Sequence, residues 1–140
     1  MVSGATVLIT GGAGFIGTRL CGRLLPDNQV RVFDNLKRNA LANSPWAKHE
    51  NLQLLVGDVR DLQALGQAVE GVDYLVHMAA IAGVDTVLKN PVDTMEISLQ
   101  GTLNALTAAR GAGPIKRFID FSTSEVFGTY AFRVQEADVT

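Results

Sequence analysis

Short apolar runs alternate with longer amphipathic stretches along this chain. The first run, ATVLIT, is nearly continuous and rich in β-branched residues, which is typical of a strand buried on both faces. Four later runs are similar in length, so five strands are expected. The predicted strands are Ala5–Thr10, Val30–Phe33, Leu52–Val56, Val72–Met78 and Arg117–Phe121.

Between the strands, apolar residues recur at three- and four-residue spacing, which predicts amphipathic helices. Pro26 ends the first helix, Asp61 is placed to cap the second, and Asn90 followed by Pro91 begins a long third helix. Each helix is expected to have one apolar face. These faces are Ile16, Leu20 and Leu24; then Leu62, Leu65 and Val69; then Met95, Leu99, Leu103 and Leu106.

Strands that alternate with helices pair in parallel through right-handed crossovers. The predicted fold class is therefore α/β, a doubly wound parallel sheet of about five strands of the Rossmann type. No linker divides residues 1–140, which are read as a single domain.

Composition narrows the function classes. The 140 residues are 47% hydrophobic and have a net charge of −2, which gives no support for a nucleic-acid surface. No apolar run approaches the roughly 18 residues of a membrane span. The single cysteine, Cys21, cannot form an intrachain disulfide, and no Cys/His cluster has metal-ligand spacing. A cytoplasmic protein without a metal or a membrane partner is expected.

The most informative motif is the turn after the first strand, TGGAGFIG at Thr10–Gly17. Its glycines fit both GxxGxxG (Gly11, Gly14, Gly17) and GxGxxG (Gly12, Gly14, Gly17). A strand that turns at once into a helix directs unpaired N–H groups at one point, and glycines let a diphosphate approach them. A tight turn with a purely structural role would also use such glycines. A P-loop is excluded, because no Gly-Lys-Ser/Thr follows.

Asp34 ends the second predicted strand, twenty residues after Gly14. This is close to the separation expected for the acid that binds the adenosine ribose. Its carboxylate would repel a 2′-phosphate, so NAD is preferred over NADP. The nearby basic residues Arg31, Lys37 and Arg38 would weaken that preference.

Several motifs together resemble the extended short-chain dehydrogenase/reductases, a family that epimerises, dehydrates or decarboxylates nucleotide sugars with NAD. They are TGGAGFIG at Thr10–Gly17, FDN at Phe33–Asn35, GDVRD at Gly57–Asp61, HMAA at His77–Ala80 and STSEVFG at Ser122–Gly128. The last is most similar to decarboxylases and 4,6-dehydratases.

The resemblance implies transient oxidation at sugar C4, with Thr123 bonding the reacting oxygen and Glu125 as acid/base. It also implies a nucleotide-sugar substrate, a homodimer when the enzyme is complete, and a structural role for His77. Ser98 replaces the family's usual asparagine. The implied cofactor-binding residues are Gly11, Gly14, Phe15, Ile16, Gly17, Asp34, Asn35, Asp58, Val59, Met78, Ala79, Ala80, Ser98 and Ser122.

The family's catalytic Tyr-x-x-x-Lys pair is absent: Met78 lies four residues after Tyr74, and Val134 lies four after Tyr130. We therefore expect the N-terminal part of a longer enzyme, without its substrate domain and inactive alone. The alternatives are a non-catalytic dinucleotide-binding sensor and an ordinary two-domain dehydrogenase.

Overall fold

The computed structural model describes residues 2–123 and Val126. Within this part of the chain, five parallel strands form one sheet in the order β3-β2-β1-β4-β5. They are β1 (Thr6–Thr10), β2 (Gln29–Asp34), β3 (Leu52–Val56), β4 (Tyr74–His77) and β5 (Arg117–Asp120). The predicted doubly wound α/β fold is confirmed, and every strand lies where an apolar run predicted it.

Among the described residues, five α-helices connect the strands: α1 (Phe15–Leu24), α2 (Leu62–Val69), α3 (Val84–Lys89), α4 (Pro91–Met95) and α5 (Gly101–Gly111). A 3₁₀ turn spans Leu41–Asn43, and a π-helical turn spans Glu96–Gln100. The Asp61 side chain caps α2 by accepting the N–H of Ala64 at 3.0 Å, as predicted.

The central strand β1 is buried on both faces, and its successive residues point to opposite sides of the sheet. Val7 and Ile9 pack with Cys21 of α1 and with Leu25, which follows that helix, whereas Leu8 packs with residues from α2 and α5. Since the strands are parallel, their carboxyl ends lie along one edge. There Thr10 is paired with Phe33 on one side and His77 on the other.

The predicted apolar face of the third helix is wrong. The region forms α4, the π-helical turn and α5, and Met95, Leu99, Leu103 and Leu106 are 48% to 64% exposed. The buried face consists instead of small residues, because α5 lies close against the sheet and α2. At Gly101, an added Cβ would lie 2.6 Å from Val59 Cγ2.

Two further expectations about helices are corrected. Ile16 is 60% exposed at the start of α1, where the buried residues are Gly17, Thr18 and Cys21. Glycine at position 17 draws this turn of α1 onto the preceding bend, which leaves Ile16 outside. Asn90 does precede Pro91 at the start of α4, but its side chain makes no capping hydrogen bond.

Candidate functional site

The bend between β1 and α1 is held by its own backbone. Gly11 has a φ of 70°, which favours glycine, and its N–H donates to the Phe33 carbonyl at 2.9 Å. A Cβ at Gly11 would lie 2.9 Å from Ala79 Cα. Gly11 is therefore required by the fold itself, because it lets the bend meet the end of β4.

Gly17 is also required by packing. A Cβ there would lie 2.5 Å from Gly12 Cα and 2.7 Å from the Gly12 carbonyl oxygen. Backbone cannot move aside as a flexible side chain does. Gly17 thus allows the first turn of α1 to rest directly on the bend, and it fixes where the N-terminal end of the helix lies.

Gly14 differs from both. Its φ of −69° and ψ of 177° suit any residue, and an added Cβ would meet only the Gly11 carbonyl oxygen, at 3.3 Å. It is the N-cap of α1, and among the described residues no side chain caps this helix. The first N–H groups of a helix have no intrahelical acceptor. The space above Gly14 therefore suits an anion that reaches those donors.

Asp34 lies beside this bend. It is 8% exposed, and its Oδ2 accepts the N–H of Ala13 at 3.0 Å. Its Oδ1 accepts the N–H of Leu36 at 2.7 Å, and Leu36 has an unusual φ of 61°. The neighbouring Asn35 is exposed, and its Oδ1 accepts the N–H of Lys37 in a short turn. A carboxylate has about four lone-pair sites, so Asp34 retains acceptor capacity for a ligand.

A chain of hydrogen bonds through His77 ties the bend to α5. Thr10 Oγ1 accepts the N–H groups of Met78 at 3.2 Å and Ala79 at 3.4 Å, so its own O–H donates to His77 Nδ1 at 2.7 Å. The Thr102 O–H donates to the Ser98 carbonyl at 2.7 Å, so its oxygen accepts His77 Nε2–H at 3.2 Å. These partners assign the Nε2–H tautomer.

Burial lowers the pKa of His77 below its ordinary value of 6.5, with Asp120 opposing the shift. A neutral imidazole with both nitrogens engaged is a structural element. Sequence reasoning treated His77 as structural but missed Thr10 and Thr102, because neither hydroxyl stands near the histidine in the sequence. Met78 and Ala79 are half-buried beside this chain, and Ala80 is exposed.

Asp58 and Val59 follow β3 at the same edge of the sheet. Arg60 forms a salt bridge with the Asp58 carboxylate. Hydrogen bonding to its guanidinium lowers the pKa of that carboxyl below its ordinary value of 3.8. Val59 is 5% exposed, and its side chain belongs to the core. Only its backbone is therefore available to a ligand. No local sequence pattern predicts this role of Arg60.

The remaining expected site residues lie further along the edge. Ser98 is half-buried in the π-helical turn, a feature often found at functional sites. Ser122 and Thr123 are exposed and follow β5, and the Thr123 carbonyl accepts the N–H of Val126 at 3.3 Å. Glu125 lies outside the described residues.

Two negative results concern the part of the chain that the structure describes. No group of three or more His, Cys, Asp or Glu side chains there is placed to hold a metal ion. No helix there has both the length and the apolar character needed to cross a membrane.

Comparisons with known proteins show what this chain is similar to. UDP-glucuronic acid decarboxylase 1 from Danio rerio is 36% identical over 137 residues, which cover 94% of this chain and 30% of that protein. UDP-N-acetylglucosamine 4-epimerase from Methanobrevibacter ruminantium M1 superposes with a TM-score of 0.88 at 30% identity, covering 98% of this chain and 44% of the other.

A third relative has its cofactor in place. The dTDP-glucose 4,6-dehydratase DesIV from Streptomyces venezuelae, solved with NAD bound, superposes with a TM-score of 0.81 at 35% identity. The superposition covers 88% of this chain and 41% of that protein. This chain therefore spans less than half of each of these three relatives. The profile of the NAD dependent epimerase/dehydratase family matches residues 7–140, and the chain belongs to that family.

Proposed function

We propose that the bend and the first turn of α1 bind the diphosphate of NAD, and that Asp34 binds the hydroxyls of its adenosine ribose. The observation that carries this proposal is the geometry of Gly14. The fold would accept a side chain at this position, whereas a side chain would obstruct a diphosphate bound there. The N–H groups and dipole of α1 favour an anion at that place. Asp34 lies within hydrogen-bond distance of the same bend, at 3.0 Å from the Ala13 nitrogen.

The other cofactor contacts follow the edge of the sheet. Gly11, Phe15, Ile16 and Gly17 complete the diphosphate site. Phe15 is 77% exposed, so it contacts the diphosphate through its backbone. The remaining proposed contacts are Asn35 beside the ribose, Asp58 and Val59 beside the adenine, and Met78, Ala79, Ala80, Ser98 and Ser122 along the rest of the cofactor.

Asp34 favours NAD over NADP for an electrostatic reason. The residue is 8% exposed, so water screens its carboxylate poorly, and a 2′-phosphate would place further negative charge beside it. The ribose hydroxyls of NAD instead donate hydrogen bonds to the carboxylate. These bonds are charge-assisted and hence stronger than those between neutral groups.

We infer that the chain is the cofactor-binding part of a nucleotide-sugar epimerase, dehydratase or decarboxylase. Bound NAD would supply the hydride acceptor for transient oxidation at sugar C4. The Thr123 hydroxyl is proposed to bond the reacting oxygen, and Glu125 to exchange a proton with the substrate. The product decides whether the enzyme is an isomerase, a lyase or an oxidoreductase. Because these 140 residues contain no Tyr-x-x-x-Lys pair, we expect them alone to turn over no sugar nucleotide.

Calorimetric titration of the chain with NAD and NADP tests this proposal. We expect NAD to bind at least about tenfold more tightly, and Asp34→Asn to reduce that ratio. Asp73→Asn is a matched control, because the Asp73 carboxylate also accepts a backbone N–H, from Thr6 at 2.9 Å, but at the opposite edge of the sheet. Equal affinity of the unaltered chain for both dinucleotides would refute the role of Asp34.

We also propose that the protein forms a homodimer through the outer face of its α3–α5 region. Seven large apolar side chains there are 48% to 73% exposed, which is more than scattered surface residues explain. They are Val84, Leu88, Val92, Met95, Leu99, Leu103 and Leu106. A two-fold axis would bring the same face of a second copy onto them. Sedimentation of the chain and of Leu99→Glu tests this, and a monomer at every concentration would contradict it.

A cytoplasmic location is proposed from the chemistry of Cys21. This thiol is free and buried, and burial raises its pKa to about 12, so it stays protonated and unreactive. A chain that needs no disulfide suits a reducing compartment. Fractionation of cells that produce the protein would test the assignment, and recovery outside the cytoplasm would overturn it.

A further inference from the structure

Arg60 binds the Asp58 carboxylate with two nitrogens of its guanidinium. Its Nε donates to Oδ1 at 3.1 Å and its Nη2 donates to Oδ2 at 2.7 Å. The Arg60 backbone N–H donates to Oδ1 as well, at 2.9 Å. A fork that meets both oxygens fixes the plane of the carboxylate, which a single point charge would not do.

The guanidinium is itself anchored from the other side. Its Nη1 donates to Glu96 Oε2 at 2.9 Å and lies 3.6 Å from Asp93 Oδ1. Glu96 begins the π-helical turn, and Asp93 lies in α4. Arg60 is thus held between two elements, and this restricts the rotamers of a side chain that would otherwise move freely in solvent.

The backbone of this loop does not depend on the Arg60 side chain. The Asn104 amide donates to the carbonyls of Val59 and Arg60, both at 2.9 Å, and so ties the loop to α5. The Asp61 side chain separately caps α2. Removing the guanidinium should therefore leave the loop backbone in place while releasing the Asp58 carboxylate from its side-chain bonds.

We propose that Arg60 is a positioning residue, which orients the Asp58 carboxylate to accept the 6-amino group of the NAD adenine. This rests on the proposed function, in which adenine lies against Asp58. Oδ1 already accepts two N–H groups and Oδ2 only one, so a site on Oδ2 is left for the ligand. An ionised carboxylate accepts hydrogen bonds but cannot donate one. It therefore selects a purine with an amino group at position 6 and disfavours one with a carbonyl there.

Nicotinamide hypoxanthine dinucleotide, which has that carbonyl, is the probe. We would titrate the chain with it and with NAD, following ¹⁵N-labelled amides by NMR so that weak binding is measurable. The unaltered chain should prefer NAD by about tenfold or more, which is the effect of one hydrogen bond to a charged group. Arg60→Gln should lower this ratio severalfold, and Asp58→Asn should abolish it. Arg60→Lys should fall between, since lysine keeps the charge without the fork.

Lys116→Gln is the matched control. It removes the same charge and also breaks an ion pair, with Asp73 at 2.8 Å, but it lies away from this loop. It should leave the ratio unchanged. Should Arg60→Gln fail to fold, the intermediate ratio expected of Arg60→Lys keeps the test decisive.

The outcomes separate this proposal from the proposed function. An unchanged ratio in both Arg60 variants, or equal weakening of both dinucleotides, would overturn the positioning role. If the unaltered chain binds both dinucleotides equally, adenine recognition by Asp58 is overturned while NAD binding stands. If it binds neither, NAD binding fails, and the role of Arg60 fails with it.

Discussion

The glycines of the bend separate into those that the fold needs and one that it does not, and alanine substitutions should reveal the difference. Gly17→Ala would press a methyl group against the Gly12 backbone, at 2.5 Å from its Cα. Overpacking of this kind costs about 1–3 kcal/mol of unfolding free energy, or roughly 4–12 °C in Tm for a domain of this size.

Gly14→Ala should behave in the opposite way. Its φ of −69° is already suitable for alanine, and the nearest atom, the Gly11 carbonyl oxygen, would need to move by only a few tenths of an ångström. The gain from a less flexible unfolded chain, about 0.4–1 kcal/mol, offsets the weaker N-cap preference of alanine. Stability should therefore change by less than about 1 kcal/mol. NAD affinity should fall by about 10- to 100-fold, because the methyl group displaces the diphosphate from one or more charge-assisted hydrogen bonds.

Thermal unfolding and NMR titration with NAD measure the two effects separately. Gly66→Ala is the control, because Gly66 lies in α2 with no atom within 4 Å of an added Cβ. It should raise stability by about 0.5–1 kcal/mol and leave NAD binding unaltered. Wild-type NAD affinity in Gly14→Ala would refute the reasoning, since the glycine would then serve neither the fold nor the ligand.

Two further predictions concern stability. Because burial lowers the pKa of His77 in the folded state below 6.5, unfolding binds a proton as the pH falls through that value. The free energy of unfolding, measured with urea, should be highest well above pH 6.5 and lower by at most about 1.4 kcal/mol at pH 5.5. Loss of this pH dependence in His77→Asn would confirm its source, and its persistence would contradict it. Asn104→Ala should cost about 2–5 kcal/mol, because it leaves two carbonyls without their donor. Asn51→Ala removes one partly buried bond, to the Leu25 carbonyl, and one exposed bond, from Gln29, and urea unfolding should show a smaller loss.

The strands and the bend could be predicted from the sequence because their signals are local. A strand buried on both faces must be apolar throughout, as Leu8 and Ile9 are, and both are 0% exposed. Gly17 is required by its contact with the Gly12 backbone within the same turn, and the φ of 70° at Gly11 is likewise a property of that turn, although the contact of Gly11 with Ala79 is long-range. In such cases a short stretch of residues determines the structure around it.

The apolar face of the third helix could not be assigned from hydropathy. Leu99 and Leu103 have the spacing of a buried stripe, yet both are exposed. The face that does pack against the domain contains Gly101, Ala105 and Asn104, which contribute little to any hydropathy pattern. The spacing of apolar residues indicates that a helix face is to be buried. It does not distinguish burial within the chain from burial against a second copy.

The polar contacts of the site were missed for a different reason. Thr10 and His77 are 67 residues apart, and Arg60 and Glu96 are 36 apart. Nothing in the sequence near one partner indicates the other, because the crossovers of the sheet bring them together. Only the fold makes the pairing visible.

These long-range bonds converge on one segment. His77 reaches Ser98 through Thr102, and Arg60 reaches Glu96, so both the bend and the Asp58 loop are attached to the π-helical turn. Leu99 in that turn faces outward, on the surface where we propose a second copy binds. Covering Leu99 would restrict the segment that supports both parts of the NAD site.

Dimerisation and NAD binding should consequently be coupled, and such coupling is reciprocal. NAD affinity should rise with protein concentration across the dimerisation range, by about fivefold or more for a typical coupling energy. In turn, NAD should shift sedimentation toward the dimer. Leu99→Glu, which is expected to stay monomeric, should bind NAD with the affinity of the dilute chain at every concentration. If NAD affinity is the same in monomer and dimer, the contacts through Glu96 and Ser98 transmit nothing, and they serve only to hold the fold together.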